Sequence, residues 1–97
     1  MRTKNWVVYL LQCSDNSLYC GISNNVTRRV DAHNAGKGAK YTKSRRPVEL
    51  VATSREMTKG DALKLEYGVR KLPANKKIKA LEEQASPPEA GKPQIKT

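Results

Sequence analysis

Residues 18–33 read LYCGISNNVTRRVDAH: a short apolar strand that passes Gly21 and runs into a helix with two arginines and the chain's single histidine. Working backwards, WVVYLLQC (6–13) is almost continuously apolar and rich in valine and aromatics. That pattern predicts a strand buried on both faces. SDNS (14–17) turns the chain, so 6–13 and 18–22 form a hairpin. Working forwards, a helix runs from about Asn25 to Ala35, with Gly36 as its stop.

GKGAKYTKSRRP then reads as a polar, basic loop, too glycine-rich and charged to join a core. VELVATS (48–54), opened by Pro47, alternates as a third strand. Thr58 with Asp61 three residues on resembles a capping box for a helix to about Leu72. Pro73 breaks it, and ANKKIKALEEQA makes a shorter last helix. The order is β-β-α-β-α-α, an α+β domain with a small, mostly antiparallel three-stranded sheet covered by helices. The domain spans residues 1–85. Residues 86–97, with three prolines and little to bury, read as a disordered tail.

Ninety-seven residues suffice for one modest core. The formal charge of +10 points to a polyanion as partner, nucleic acid being the commonest. No apolar run approaches the roughly twenty residues of a membrane span, and the first residues lack a leader's cleavage pattern. A cytoplasmic protein with Cys13 and Cys20 reduced is expected. Two cysteines and one histidine match no familiar zinc cage.

Helical projection of 25–35 puts Val26, Val30 and His33 on one face with Arg29 on its flank, while Arg28 points almost the opposite way. An arginine half under the sheet needs an anion, either a distant glutamate or a phosphate oxygen that suits its planar fork. On the helix 59–72, Glu66 falls beside the core stripe Ala62, Leu65, Val69 and Leu72. A carboxylate there requires a cation: Arg29, a lysine or a metal. Tyr9 and Tyr19, each taken alone, read as core residues with satisfied hydroxyls.

The ordered combination resembles the GIY-YIG nuclease superfamily. Tyr19-Cys20-Gly21 resembles its second motif, and Tyr9 its first, with Val7-Val8 in place of the usual Gly-Ile. RRVDAHNAGKGAKYT and ALKLEYGVRKL are similar to the small stand-alone, YhbQ-type branch, over roughly residues 5–80. The resemblance implies hydrolysis of phosphodiester bonds in nucleic acid, DNA ahead of RNA, with one divalent metal, Mg²⁺ or Mn²⁺, held by Glu66. It further implies that Arg29 stabilises the scissile phosphate, that Tyr19 activates water beside Tyr9, and that His33 stands where relatives carry histidine or tyrosine. The family's C-terminal asparagine has only Asn75 as candidate, and no role is assigned to it.

Lys37, Lys40, Lys43, Arg45 and Arg46 crowd a short segment without acids, an expected nucleic-acid surface. Its glycines do not form a P-loop. Few aromatics lie outside the fold, so structure-selective binding is expected ahead of sequence readout. The competing reading is a nucleic-acid-binding module on the same scaffold with little or no catalysis; a third is a generic basic interaction protein.

For Tyr9 and Tyr19 to serve one site, they must share a sheet face. A two-residue turn would separate them; an irregular turn at 14–17 brings Leu11 opposite Tyr19 and Tyr9 opposite Gly21. Both hydroxyls would then face the first helix, with Gly21 leaving open space beside Tyr9.

Overall fold

The computed structural model describes residues 4–83. The expected C-terminal tail lies outside the described residues, as do the last two positions of the final helix. The chain forms β1 (Val7–Gln12), β2 (Leu18–Ser23), α1 (Val26–Asn34), α2 (Lys40–Lys43), β3 (Glu49–Thr53), α3 (Lys59–Arg70) and α4 (Ala74–Glu83). The sheet order is β2-β1-β3, and both pairings are antiparallel.

As the apolar run requires, β1 is the central strand and is covered on both sides. Val8 and Leu10 pack with Cys20, Met57, Ala62, Val69 and Leu81, which are brought by β2, α3, α4 and the segment before α3. Tyr9 and Leu11 point the other way, into a second cluster with Cys13, Val48, Tyr19, Val26 and Val30. The domain is therefore three layers, with α1 on one sheet face and α3 and α4 on the other. Burial of each of these large side chains contributes about 1.5–3 kcal/mol.

The hairpin turn is the irregular one that the tyrosines need. Cys13 N–H donates to Ser17 O (2.8 Å), and Asn16 N–H donates to Cys13 O (2.9 Å). Asn16 takes φ +69, the left-handed conformation that asparagine tolerates. Asp15 Oδ1 accepts from the Ser17 amide (3.0 Å) and hydroxyl (2.6 Å) and fixes the loop. Leu11 accordingly pairs with Tyr19 and Tyr9 with Gly21, so both tyrosines stand on the α1 face.

Thr58 caps α3 by accepting from Asp61 N–H (3.2 Å), and Asn25 caps α1 through Arg28 N–H (3.1 Å). Asn34, the last residue of α1, brackets Val48 by donating to its carbonyl (3.0 Å) and accepting from its amide (2.7 Å). That clamp fixes the end of α1 to the start of β3.

One expectation is corrected. The basic segment is not all solvated loop: residues 40–43 form α2, and Thr42 within it is fully buried (0% exposed). The reason is tertiary: α2 packs against α1, and Thr42 faces His33. Among the described residues, no helix is long and apolar enough to cross a membrane.

Candidate active site

Two strands and two helices bring one aromatic-imidazole cluster together. Tyr9 Oη lies 2.9 Å from His33 Nε2, both groups buried. The Tyr19 ring is 5.1 Å from the His33 ring and 6.3 Å from the Tyr9 ring, centroid to centroid. Tyr41 of α2 stacks on Tyr19 at 6.0 Å. Among the described residues the Tyr19 hydroxyl has no hydrogen-bond partner, whereas that of Tyr9 is held by His33.

At Gly21 the backbone lies close against the Tyr9 side chain. A Cβ there would sit 2.7 Å from Tyr9 Oη and 3.1 Å from Tyr19 Cε2. The space beside Gly21 is thus filled by the Tyr9 phenol and is not left open, which corrects that expectation. The phenol occupies it because His33 draws the hydroxyl back across the glycine.

The charges around the cluster differ in sign. Arg29 is exposed, contrary to its expected place half under the sheet, because α1 turns that flank outward. Its guanidinium has no hydrogen bond or ion pair among the described residues. It nevertheless acts on Tyr9, Tyr19 and His33 electrostatically, and Arg28 does not figure among the charges they feel. Both arginines line one shallow depression of about 260 Å³ with Ser23, Asn24, Asn25 and Ala32, so they are not on opposite sides of the helix.

Glu66 reaches the same region from α3. Its side chain is 18% exposed, and its nearest cation is Arg70 Nε at 3.7 Å, one helical turn on. Arg70 is none of the cations expected for this carboxylate, although the i, i+4 spacing carried the signal. Arg70 also lines a cavity of about 270 Å³ with Leu18, Tyr19, Cys20, Tyr41 and Lys77.

Burial raises both phenols above the ordinary tyrosine value. Next in size, Tyr19 raises Tyr9, while Arg70 acts downward on Tyr19 and Glu66 upward. Burial and then Arg29 hold His33 below the ordinary histidine value. The Cys20 thiol is pushed up to about 11, chiefly by burial and then by Glu66. The histidine is therefore neutral and the phenols protonated at neutral pH.

Residues 5–80 match the family model of the GIY-YIG catalytic domain. The chain belongs to the GIY-YIG family. It is 47% identical over 90 residues to UPF0213 protein YazA of Bacillus subtilis, covering 93% of this chain and 91% of that one. It is 49% identical over 76 residues to UPF0213 protein SH2523 of Staphylococcus haemolyticus, covering 78% and 93% respectively. Among solved structures, the solution structure of EF2693 from E. faecalis is similar with a TM-score of 0.55. The identity there is 34%, over 86% of this chain and 90% of that one.

This GIY-YIG domain divides the five basic residues of segment 37–46 into two sets. Lys37, Lys40 and Lys43 are exposed. Arg45 instead pairs with Asp15 (2.9 Å), donates to Tyr41 O (2.9 Å) and lies 3.9 Å over the Tyr41 ring. Arg46 donates to Lys43 O (2.9 Å) and Asn34 O (3.3 Å). The two arginines hold α2 and its flanks to the hairpin turn and to α1. Asn75 is exposed on α4.

Whether Glu66 suits a metal turns on its donor set. Among the described residues no group of three His, Cys, Asp or Glu converges there, so a closed protein cage is excluded for them. A single half-buried carboxylate, whose ion-pair partner Arg70 lines the cavity beside Tyr19, fits Mg²⁺ or Mn²⁺. Mg²⁺ characteristically takes one or two carboxylates and fills its other positions with water and substrate phosphate. Sequence reasoning missed Thr42, Tyr41 and Gly38 at this site. All three sit in a segment whose composition signals solvent.

Proposed function

We propose that the protein is a divalent-metal-dependent endonuclease that hydrolyses phosphodiester bonds in DNA, selecting structure over sequence, in the cytoplasm. The observation that carries this reading is the convergence of Tyr9, Tyr19 and His33 with the unpaired Arg29 and with Glu66. Arg29 would lay its planar fork on the non-bridging oxygens and offset the charge that grows on them. Tyr19, whose hydroxyl has no internal partner, would first release its own proton to solvent and then, as the phenolate, take the proton of the attacking water. Tyr9 and His33 hold the wall against which that water is oriented. When bound at Glu66, Mg²⁺ or Mn²⁺ would polarise a phosphoryl oxygen and counter the carboxylate's charge beside Tyr19.

Support for structural selectivity comes from the surface. The exposed cations Lys37, Lys40 and Lys43 are point charges suited to phosphates, and phosphate contacts position a duplex without reading its sequence. A second reading, a nucleic-acid-binding module without turnover, draws on the Arg70–Glu66 ion pair, which gives the carboxylate a bland partner.

The test is incubation with labelled single strands, flaps and branched junctions, as DNA and as RNA, with Mg²⁺, Mn²⁺ or EDTA. Metal-dependent cleavage of branched or flapped DNA, lost in Glu66→Ala, is expected. Binding without cleavage under every condition would establish the second reading.

A further inference from the structure

His33 is gripped from both ring nitrogens, and the second grip serves neither the metal nor the phosphate. Nδ1 lies 2.7 Å from Thr42 Oγ1 and 3.4 Å from the Ala39 backbone N. Gly38 lets that backbone lie flat on the imidazole: a Cβ there would fall 2.6 Å from His33 Cγ and 2.7 Å from Cε1. Thr42 is fully buried, and its one hydroxyl proton can go either to Nδ1 or to Ala39 O, 3.0 Å away.

A neutral imidazole has one N–H and one lone pair, so the direction of each hydrogen bond is a choice between two tautomers. A hydroxyl can donate or accept and does not decide it. The Ala39 amide can only donate, and its N–H is aimed at Nδ1. That contact points to Nδ1 as the lone-pair nitrogen. The Thr42 contact agrees, since 2.7 Å is shorter than the usual N–H···O separation of about 2.9–3.0 Å. Nor does Ala39 O need the hydroxyl proton, because it already accepts from the amides of Thr42 and Lys43, each at 3.2 Å.

We infer that Thr42 is a positioning residue that, with the Ala39 amide, holds His33 as the Nε2–H tautomer. Nε2–H then donates to Tyr9 Oη, and His33 cannot accept the Tyr9 proton. That proton stays on Tyr9 Oη, free for an acceptor other than His33. Thr42 thus acts on the site through His33 and touches no reacting atom. Its helix also carries the exposed Lys40 and Lys43, so the element that meets a phosphate backbone also sets the histidine. The catalytic consequence rests on the nuclease reading; the tautomer does not.

His33 is the chain's single histidine, so ¹⁵N-histidine NMR of the whole protein near neutral pH reports this ring alone. The expected spectrum has Nε2 protonated and Nδ1 bearing the lone pair; a protonated Nδ1 in the wild type overturns the inference, whatever the variants do. Thr42→Val, close in shape but without the hydroxyl, should raise the Nδ1–H population. If the protein cleaves, it should also lower kcat about tenfold, the scale of removing an orienting partner, with KM nearly unchanged. Thr42→Ser should restore both. A Thr42→Val protein with wild-type tautomer and kcat would refute the role. An Nε2–H wild type that cleaves nothing would refute the nuclease reading and leave the positioning role standing.

Discussion

Tyr9 Oη and His33 Nε2 meet at 2.9 Å although 24 residues separate them, one on the central strand and one on the first helix. The phenol is 2% exposed and the imidazole 1%. That contact distinguishes the two tyrosines. Tyr9→Phe strands a buried ring nitrogen and should lower stability by about 1–3 kcal/mol. Tyr19→Phe removes a hydroxyl with no internal partner, so stability should stay within about 0.5 kcal/mol while cleavage is abolished. Urea unfolding beside a cleavage assay separates them; equal destabilisation would contradict the geometry.

Glu66→Gln should abolish metal-dependent cleavage with little effect on folding. The ion pair it gives up is long at 3.7 Å, and Arg70 is 56% exposed. A pair of that kind contributes about 0.2–0.5 kcal/mol. Loss of stability well beyond this would mean that Glu66 serves the fold first.

Arg29→Ala should reduce turnover about a hundredfold, the scale of removing one donor that stabilises developing charge. Arg28→Ala should leave turnover within a few-fold, since it is the Arg29 charge that bears on Tyr9, Tyr19 and His33. Single-turnover rates decide between them. Equal losses would place both arginines on the phosphate.

Stability should fall as pH drops through the ordinary histidine value of about 6.5. In the folded protein His33 is held below that value by burial and by Arg29, so it stays neutral while the unfolded chain takes up a proton. The unfolded state then binds more protons, and the loss continues until pH reaches the lower folded value. His33→Gln should flatten this segment. Asp15, lowered chiefly by its bonds from Ser17, adds a loss of the same sign only in the carboxylate range. Denaturant midpoints from about pH 7.5 to about pH 5 isolate the histidine.

Salt dependence should distinguish the basic residues of segment 37–46. Alanine at Lys37, Lys40 or Lys43, wherever that lysine meets a phosphate, should reduce the slope of log affinity against log salt by about 0.7–0.9. Arg45→Ala and Arg46→Ala should instead lower the thermal midpoint, because Asp15 and backbone carbonyls hold those guanidinia. A full slope change for either arginine, with unchanged melting, would put it on the nucleic acid.

The strands and their pairing were readable from residues close together in the chain. An unbroken apolar run from Val7 to Leu11 leaves no face for water, and Asp15-Asn16 supplies the left-handed residue of a three-residue turn. Those two features alone bring Tyr9 opposite Gly21 and so put both tyrosines on one face. The cap of α3 and the family motifs are equally local. Helical phasing found the side of α1 that carries His33, but it could not tell how far Arg29 extends beyond the sheet edge.

What the sequence by itself determined, then, was the order of the strands and longer helices, the doubly covered β1 and the family to which the chain belongs. The partners of its polar side chains were decided only by the tertiary structure. Thr42 sits between Tyr41 and Lys43 in a segment that looks solvated, and it is buried because α2 folds back on His33, nine residues away. Arg45 and Arg46 resemble nucleic-acid contacts until Asp15, Tyr41 and Asn34 are seen around them. Strands, turns and helices follow from neighbouring backbone and the period of apolar residues, which a short window contains. A hydroxyl or guanidinium is satisfied by whichever donor or acceptor the fold brings within about 3 Å, and no local window holds that distance.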